Sequence, residues 1–315
     1  MKLPTDLLQN CWFLSGPTAV GKSELSLQLA ERLDAEILSL DSMAIYKGMD
    51  IGTAKPSLED QNRVPHHLID LIDPWEEYTV ADYLEAAHKC CAEILARKRT
   101  PLFVGGTGFY LRSLLRGIFQ GPPADPTIRE KLEARCDLEG AEAMANELKA
   151  IDPIAAGRIH LNDQRRLIRA LEVYEITGQP FSSFHQEEPL PADQRPPHVY
   201  WLSAPRDWLH ERINRRVDIM IDAGLLDEVR HLLSLPQGIS KTARQAIGYK
   251  ELFDALESNT GIEEAIESIK ARSRQFARRQ ETWFRNLEEC CPLEMSGQET
   301  TTELLENMIA LSRTR

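Results

Sequence analysis

Eight residues near the start of the chain, Gly16-Pro17-Thr18-Ala19-Val20-Gly21-Lys22-Ser23, have the spacing G-x-x-x-x-G-K-S of a loop that cradles a polyphosphate. The two glycines let successive backbone N–H groups turn into one concavity. A helix that follows presents its free N–H groups and the positive end of its dipole to the anion. Lys22 adds a mobile positive charge, and the Ser23 hydroxyl suits a Mg²⁺ ion that bridges two phosphate oxygens. The pattern does not say whose phosphates are held, because nucleotides, sugar phosphates and prenyl diphosphates present similar oxygens.

Three further groups have chemical potential. Asp41-Ser42-Met43 follows an apolar run at 37–40, which puts Asp41 at the carboxyl end of a strand, where open parallel sheets bind ligands. There it could reach Mg²⁺ through water, act as a general base, or cap a turn. Gly105-Gly106-Thr107-Gly108 follows a second apolar run, and either its backbone approaches a ligand closely or it is a plain strand-to-helix turn. Arg212-Ile213-Asn214-Arg215-Arg216 opens an amphipathic helix running through Met220 and Leu225, with arginine able to fork onto phosphate or to form a surface ion pair.

Positioning these groups requires an α/β order. Strand-like runs at 11–14, 37–40, 68–71 and 102–104 alternate with helical stretches at 24–33 and 80–97, which favours a parallel sheet with helices on its faces. Between the proline-rich stretches at 121–126 and 189–197 the pattern turns to helices alone, at 128–148, 153–156 and 164–177. Residues 199–202 then resume as a strand, and three helices follow. The expected organisation is a P-loop NTPase-like α/β core of residues 1–121 and 196–290, an inserted all-helical domain of residues 122–195, and a polar tail of residues 291–315. In the helix expected at 262–287, aromatics Trp283 and Phe284 lie in an apolar stripe and read as core.

Composition narrows the class. The chain has 315 residues, 42% of them hydrophobic and 27% charged, enough for one large or two ordinary domains. No run approaches a membrane span, and no signal-peptide pattern opens the chain, so a cytoplasmic location is expected. The six cysteines include no C-x-x-C and read as reduced thiols. A net charge of −12 argues against nucleic acid at first sight, but phosphate affinity depends on local clusters. Two exist: Arg165, Arg166 and Arg169, and Lys270, Arg272, Arg274, Arg278, Arg279 and Arg285.

The octet, the stretch from Asp41 to Lys55, Val64-Pro65-His66-His67, Gly105 to Gly108, Arg166 to Val173, and Gln245 to Lys250 together resemble the bacterial tRNA dimethylallyltransferases, over about residues 11 to 288. The resemblance implies transfer of a dimethylallyl group from dimethylallyl diphosphate to the exocyclic N6 of the adenosine immediately 3′ of the anticodon. It also implies Mg²⁺ dependence and an inserted helical domain that grips the anticodon stem-loop.

By the same resemblance Gly16 to Ser23 bind diphosphate, with Thr18 and Lys22 in contact, Ser23 on the metal, and Arg216 closing from the opposite side. The adenine amino group is a poor nucleophile, so a carboxylate must take its proton, and Asp41 is assigned that task. Thr18, Asp41 and Arg216 form the expected catalytic set. Asp41, Ser42, Met43, Ala44 and Thr107 are expected to line the base pocket. Arg129, Arg165, Arg166, Leu167, Ile168 and Arg169 are expected to hold the anticodon loop, joined by Arg244, Gln245, Ala246, Ile247, Gly248, Tyr249 and Lys250.

Two departures from the family pattern stand out: Ala44 where glutamine is common, and Gln164-Arg165-Arg166 where Pro-Gln-Arg is common. A monomer acting on tRNA is expected, with no membrane partner. The octet alone would equally serve an ATP-dependent small-molecule kinase or a nucleotide-switched binding module.

Overall fold

The computed structural model describes residues 2–119, 121–184, 188–258 and 261–314. Six strands form one sheet among the described residues; the four inner ones come from short, largely buried apolar runs, the usual state of parallel strands, while the two edge strands are partly exposed. The six are β1 (Trp12–Ser15), β2 (Ala35–Leu40), β3 (His66–His67), β4 (Thr100–Gly105), β5 (His198–Ser203) and β6 (Cys291–Glu294). They join in the order β3-β2-β4-β1-β5-β6 with every pairing parallel. Leu14 of β1 sits in register between Val104 of β4 and Tyr200 of β5. Parallel neighbours require crossover connections, and the helices that supply them flank the sheet.

The chain divides into two compact units, residues 117–188 and, built on the sheet, residues 2–116 with 189–315. The sheet unit's main core gathers Leu14, Leu25, Leu29, Leu202, Leu209 and Met308. The other unit is helical, with Leu132, Met144, Leu148, Leu167 and Leu171 at its centre. The boundary near 195 in the sequence reading moves to 188. Residues 189–195 are tied to the sheet unit, where Gln9 Nε2 donates to the carbonyls of Gln194 and Arg195 and the Leu190 N–H donates to buried Glu289.

Four expectations are corrected. The run at 68–71 is not a sheet strand. Leu68 and Asp70 take left-handed φ of 61° and 52°, and the segment pairs instead with the turn after β2, through Asp70 N–H to Ala44 O and Leu71 N–H to Ile45 O. The helix expected at 128–148 stops at Glu139 and restarts at Ala141, with Gly140 between them at φ 87°. Between β5 and β6 the described residues hold four α-helices rather than three: Arg206–Asp222, Leu225–Leu233, Tyr249–Ser258 and Ile262–Arg285. The supposed polar tail is part of the core. Cys291–Glu294 adds the edge strand β6, and helix Thr301–Ser312, capped reciprocally by Thr300 and Glu303, buries Leu304, Leu305, Met308 and Ile309.

Among the described residues no helix is long and apolar enough to cross a membrane.

Candidate active site

The phosphate loop connects β1 to helix Lys22–Leu33. Gly21 sits at φ 107°, a conformation an L side chain rarely adopts, and this turn swings the chain into the helix. No side chain caps that helix, so its first N–H groups face outward with nothing from the cap residue to satisfy them. Lys22 Nζ donates to the carbonyls of Gly16 at 2.9 Å and Pro17 at 2.7 Å. Burial pushes the Lys22 ammonium down to about 7, and nearby Arg216 pushes the same way while Asp41 opposes them. An arriving polyanion would reverse that balance.

β2 ends at Leu40, and Asp41 follows at the carboxyl edge of the sheet. Its Oδ1 accepts the Met43 N–H at 2.8 Å, so the carboxylate does close a turn. Among the described residues its Oδ2 has no hydrogen-bond partner. Thr107 lies across from it: Thr107 N–H donates to Leu40 O, and Ser42 N–H donates to Thr107 Oγ1 at 3.3 Å. Ala44 is buried, its carbonyl occupied by Asp70, so it holds the turn and is not an open pocket wall.

The stretch from Asp50 to Lys55 explains itself as a latch behind this turn. Lys55 Nζ bonds Tyr46 O, Asp50 and Asp70, and Glu228 accepts the N–H groups of Asp50, Ile51 and Gly52. His67 is placed elsewhere, on Glu36 near the opposite end of β2.

Arg216 lies one helical turn beyond Arg212 on helix Arg206–Asp222, so both guanidinium groups share a face. Arg212 Nε donates to Ala19 O at 2.9 Å and its guanidinium lies over the Trp208 ring. Burial lowers the Arg216 pKa, with Asp41 raising it and Arg212 lowering it further, and among the described residues no carboxylate forms an ion pair with it. An unneutralised arginine beside a phosphate loop is a ready anion partner.

The glycine turn after β4, left open in the sequence between a ligand approach and a plain strand-to-helix turn, is filled by a packed helix. A Cβ on Gly106 would lie 2.1 Å from Gln280 Nε2, and one on Gly108 would lie 2.7 Å from Trp283 Cβ. These glycines admit helix Ile262–Arg285 rather than a ligand. Gln280, which the sequence reading missed, is 4% exposed; its Oε1 accepts the Thr18 N–H at 2.9 Å and its Nε2 donates to Gly106 O at 2.9 Å. The signal was present: Gln280 is a polar residue within the apolar stripe of Phe276, Trp283 and Phe284.

The expected tRNA contacts separate into two groups. Arg129 and Arg169 both pair with fully buried Glu172 at 2.8 Å, and Arg169 also donates to Pro122 O, so these arginines hold the helical unit together. Leu167 and Ile168 are core. Arg165 and Arg166 are exposed, Arg166 only loosely paired with Asp163 at 3.4 Å. Arg244 is held by Glu257 and Lys250 by Asp254, while Ala246 and Tyr249 are buried, the Tyr249 hydroxyl donating to Glu228. The Gly248 N–H donates to Glu251, leaving Gln245 as the exposed residue and Ile247 half-buried in that segment. In the last long helix Phe284 is core and Trp283 half-buried.

A parallel sheet whose first strand runs into a G-x-x-x-x-G-K-S turn, with an aspartate and an unpaired arginine beside it, defines an α/β protein of the phosphate-loop class equipped to grip a polyphosphate. The chain belongs to the IPP transferase family, whose model matches residues 44–287. It is 46% identical over 284 residues to the tRNA dimethylallyltransferase of Rhodopirellula baltica, covering 88% of this chain and 85% of that one. A relative of the same name from Geobacillus kaustophilus is 46% identical over 273 residues, covering 86% of each chain.

Among solved structures, the full-length tRNA isopentenylpyrophosphate transferase of Bacillus halodurans superposes with a TM-score of 0.69 at 40% identity, over 97% of this chain and 99% of that one. A eukaryotic dimethylallyltransferase acting on tRNA gives a TM-score of 0.75 at 30% identity, over 91% of this chain and 74% of that one.

Proposed function

We propose that this chain transfers a dimethylallyl group from dimethylallyl diphosphate to N6 of the adenosine immediately 3′ of the anticodon in tRNA. The products are N6-isopentenyladenosine and diphosphate. The observation that carries the reading is the meeting of the Gly16 to Ser23 loop with Asp41 and Arg216 at one edge of the sheet, in a chain whose relatives are named tRNA dimethylallyltransferases.

In the reaction the allylic C1 loses its bond to a diphosphate oxygen and gains one to N6. Charge growing on the departing oxygen is met by the outward N–H groups at the start of helix Lys22–Leu33, by Lys22 and by Arg216. The Thr18 hydroxyl contacts the same group. The N6 proton passes to Asp41 Oδ2, leaving a neutral secondary amine. The target base must leave its stack to reach this point, at a cost of a few kcal/mol. Asp41, Ser42, Met43 and Thr107 receive it, and exposed Arg165 and Arg166 on the helical unit hold RNA phosphates.

The residues present fit a Mg²⁺ ion. Ser23 Oγ has no hydrogen-bond partner among the described residues, and those residues contain no cluster of His, Cys, Asp or Glu able to cage a metal alone. Mg²⁺ typically retains waters and binds through substrate phosphates plus one or two protein oxygens, so Ser23 and the diphosphate would hold it together. When bound it neutralises charge on the leaving group. The reaction belongs in the cytoplasm, with its tRNA.

Incubating the protein with carbon-labelled dimethylallyl diphosphate, Mg²⁺ and unmodified tRNA tests this reading. Label in a modified adenosine after nuclease digestion, without ATP, is expected. Label moving instead from the γ-phosphate of ATP to a small acceptor would establish the kinase alternative.

A further inference from the structure

A polar side chain in an apolar stripe carries a desolvation cost unless both its ends are bonded. Gln280 meets that condition in an unusual way. Its Oε1 takes the N–H of Thr18, inside the phosphate loop, and its Nε2 donates to the carbonyl of Gly106, at the end of β4. The amide orientation is fixed by these partners, since Thr18 N–H needs an acceptor and Gly106 O needs a donor. Gly106 leaves the space: a side chain there would meet Gln280 Nε2 at 2.1 Å.

The consequence lies on both sides of the bridge. The Thr18 N–H is withdrawn from the anion cradle, so its role is to fix the loop and aim the Thr18 side chain. On the other side, the residue after Gly106 is Thr107, whose Oγ1 accepts the Ser42 N–H, next to Asp41. One glutamine thus ties the loop that holds the leaving group to the turn beside the proton acceptor.

We infer that Gln280 is a positioning residue that sets the diphosphate loop against the acceptor-base turn, so that Thr18 and Asp41 address the same reaction centre. This inference rests on the transferase reading given above. A misplacement of about 1 Å in such an arrangement can lower turnover about 100-fold.

The test uses three variants. Gln280→Met keeps volume and removes both bonds; Gln280→Glu keeps an acceptor for Thr18 N–H and loses the donor; Gly106→Ala displaces the amide from the opposite side. With saturating donor, Gln280→Met and Gly106→Ala are expected to lower kcat about 10- to 100-fold while KM for tRNA stays within twofold. Gln280→Glu is expected to recover at least a third of the logarithmic loss, with a raised KM for the anionic donor.

The Thr18 amide, followed by hydrogen exchange, should be protected in the wild type and Gln280→Glu and fast in Gln280→Met. That readout stands even if the wild type transfers no prenyl group, so failure of the function and failure of the bridge are separable. Wild-type kcat in Gln280→Met, equal losses in the Met and Glu variants that track their melting temperatures, or fast Thr18 exchange in the wild type would each overturn the inference.

Discussion

Lys22 is held between two loop carbonyls and its pKa is brought down to about 7 by burial first and by Arg216 second. A lysine lowered in this way titrates differently once an anion arrives, because the anion favours the charged form. Between the lowered value and the ordinary 10.5, the free protein carries Lys22 largely neutral and the diphosphate complex carries it charged. Diphosphate binding at pH 8.5 should therefore take up close to one proton. Calorimetry in two buffers of different ionisation enthalpy measures it, and Lys22→Met should abolish the uptake.

The sign for stability is the same: the unfolded chain binds the proton more tightly, so this group's contribution rises with pH from about 7 to 10.5. For Asp41 the expected outcome is kinetic. Asp41→Asn keeps the side chain's shape and its acceptor for the Met43 N–H but cannot take the N6 proton, so kcat should fall about 10²- to 10⁴-fold with an unchanged melting temperature. Rapid quench with labelled donor reads the rate, and thermal unfolding followed by circular dichroism reads the melting temperature.

At the scale of elements, the helical unit depends on a buried charge. Burial alone would raise the Glu172 pKa, but hydrogen bonds from Arg169 and Arg129 and from the Asp125 N–H bring it below the ordinary 4.5. A depressed carboxylate contributes fully above its unfolded value, and that contribution is lost as pH falls through the folded one. Glu172→Ala leaves two arginines facing each other, which should cost about 3 kcal/mol. Urea unfolding at pH 7 checks it, and the gap from wild type should narrow at pH 3.

These ion pairs were not legible in the sequence, where Arg129 and Arg169 carry the same signal as the exposed Arg165 and Arg166. The difference is made by Glu172, distant in sequence from Arg129 and invisible until the helices pack. The phosphate loop and the strands around 12–15, 35–40 and 100–105 were legible, because a short apolar run bounded by turn-forming residues is a local signal. The edge strand β6 was not, since Cys291–Glu294 is only four residues long, contains a proline, and gains its order from pairing with β5. The partners of Gln280 were not legible, because Thr18 and Gly106 lie far from it in sequence and meet it only once the long helix packs on the sheet.

The whole molecule carries a net charge of −12, and it must still hold a polyanion. Salt screens interactions beyond about 10 Å at 0.1 M, so the bulk charge is muted and the local exposed arginines decide. Each phosphate neutralised on single-stranded RNA contributes a slope of about −0.7 to the dependence of log affinity on log salt. Arg165→Glu with Arg166→Glu should therefore weaken tRNA binding about tenfold at 0.1 M salt and flatten that slope by about 1, while diphosphate affinity stays within twofold. Filter binding across a salt series shows it.

The central claim is that one edge of the sheet holds a departing diphosphate and a waiting carboxylate within reach of one nucleobase. A crystal structure with a non-hydrolysable prenyl diphosphate analogue and an anticodon hairpin tests it most directly. The account predicts the diphosphate on the free N–H groups at the start of helix Lys22–Leu33 and the target N6 about 3 Å from Asp41 Oδ2. A target base bound away from Asp41, or a diphosphate seated off the loop, would contradict it.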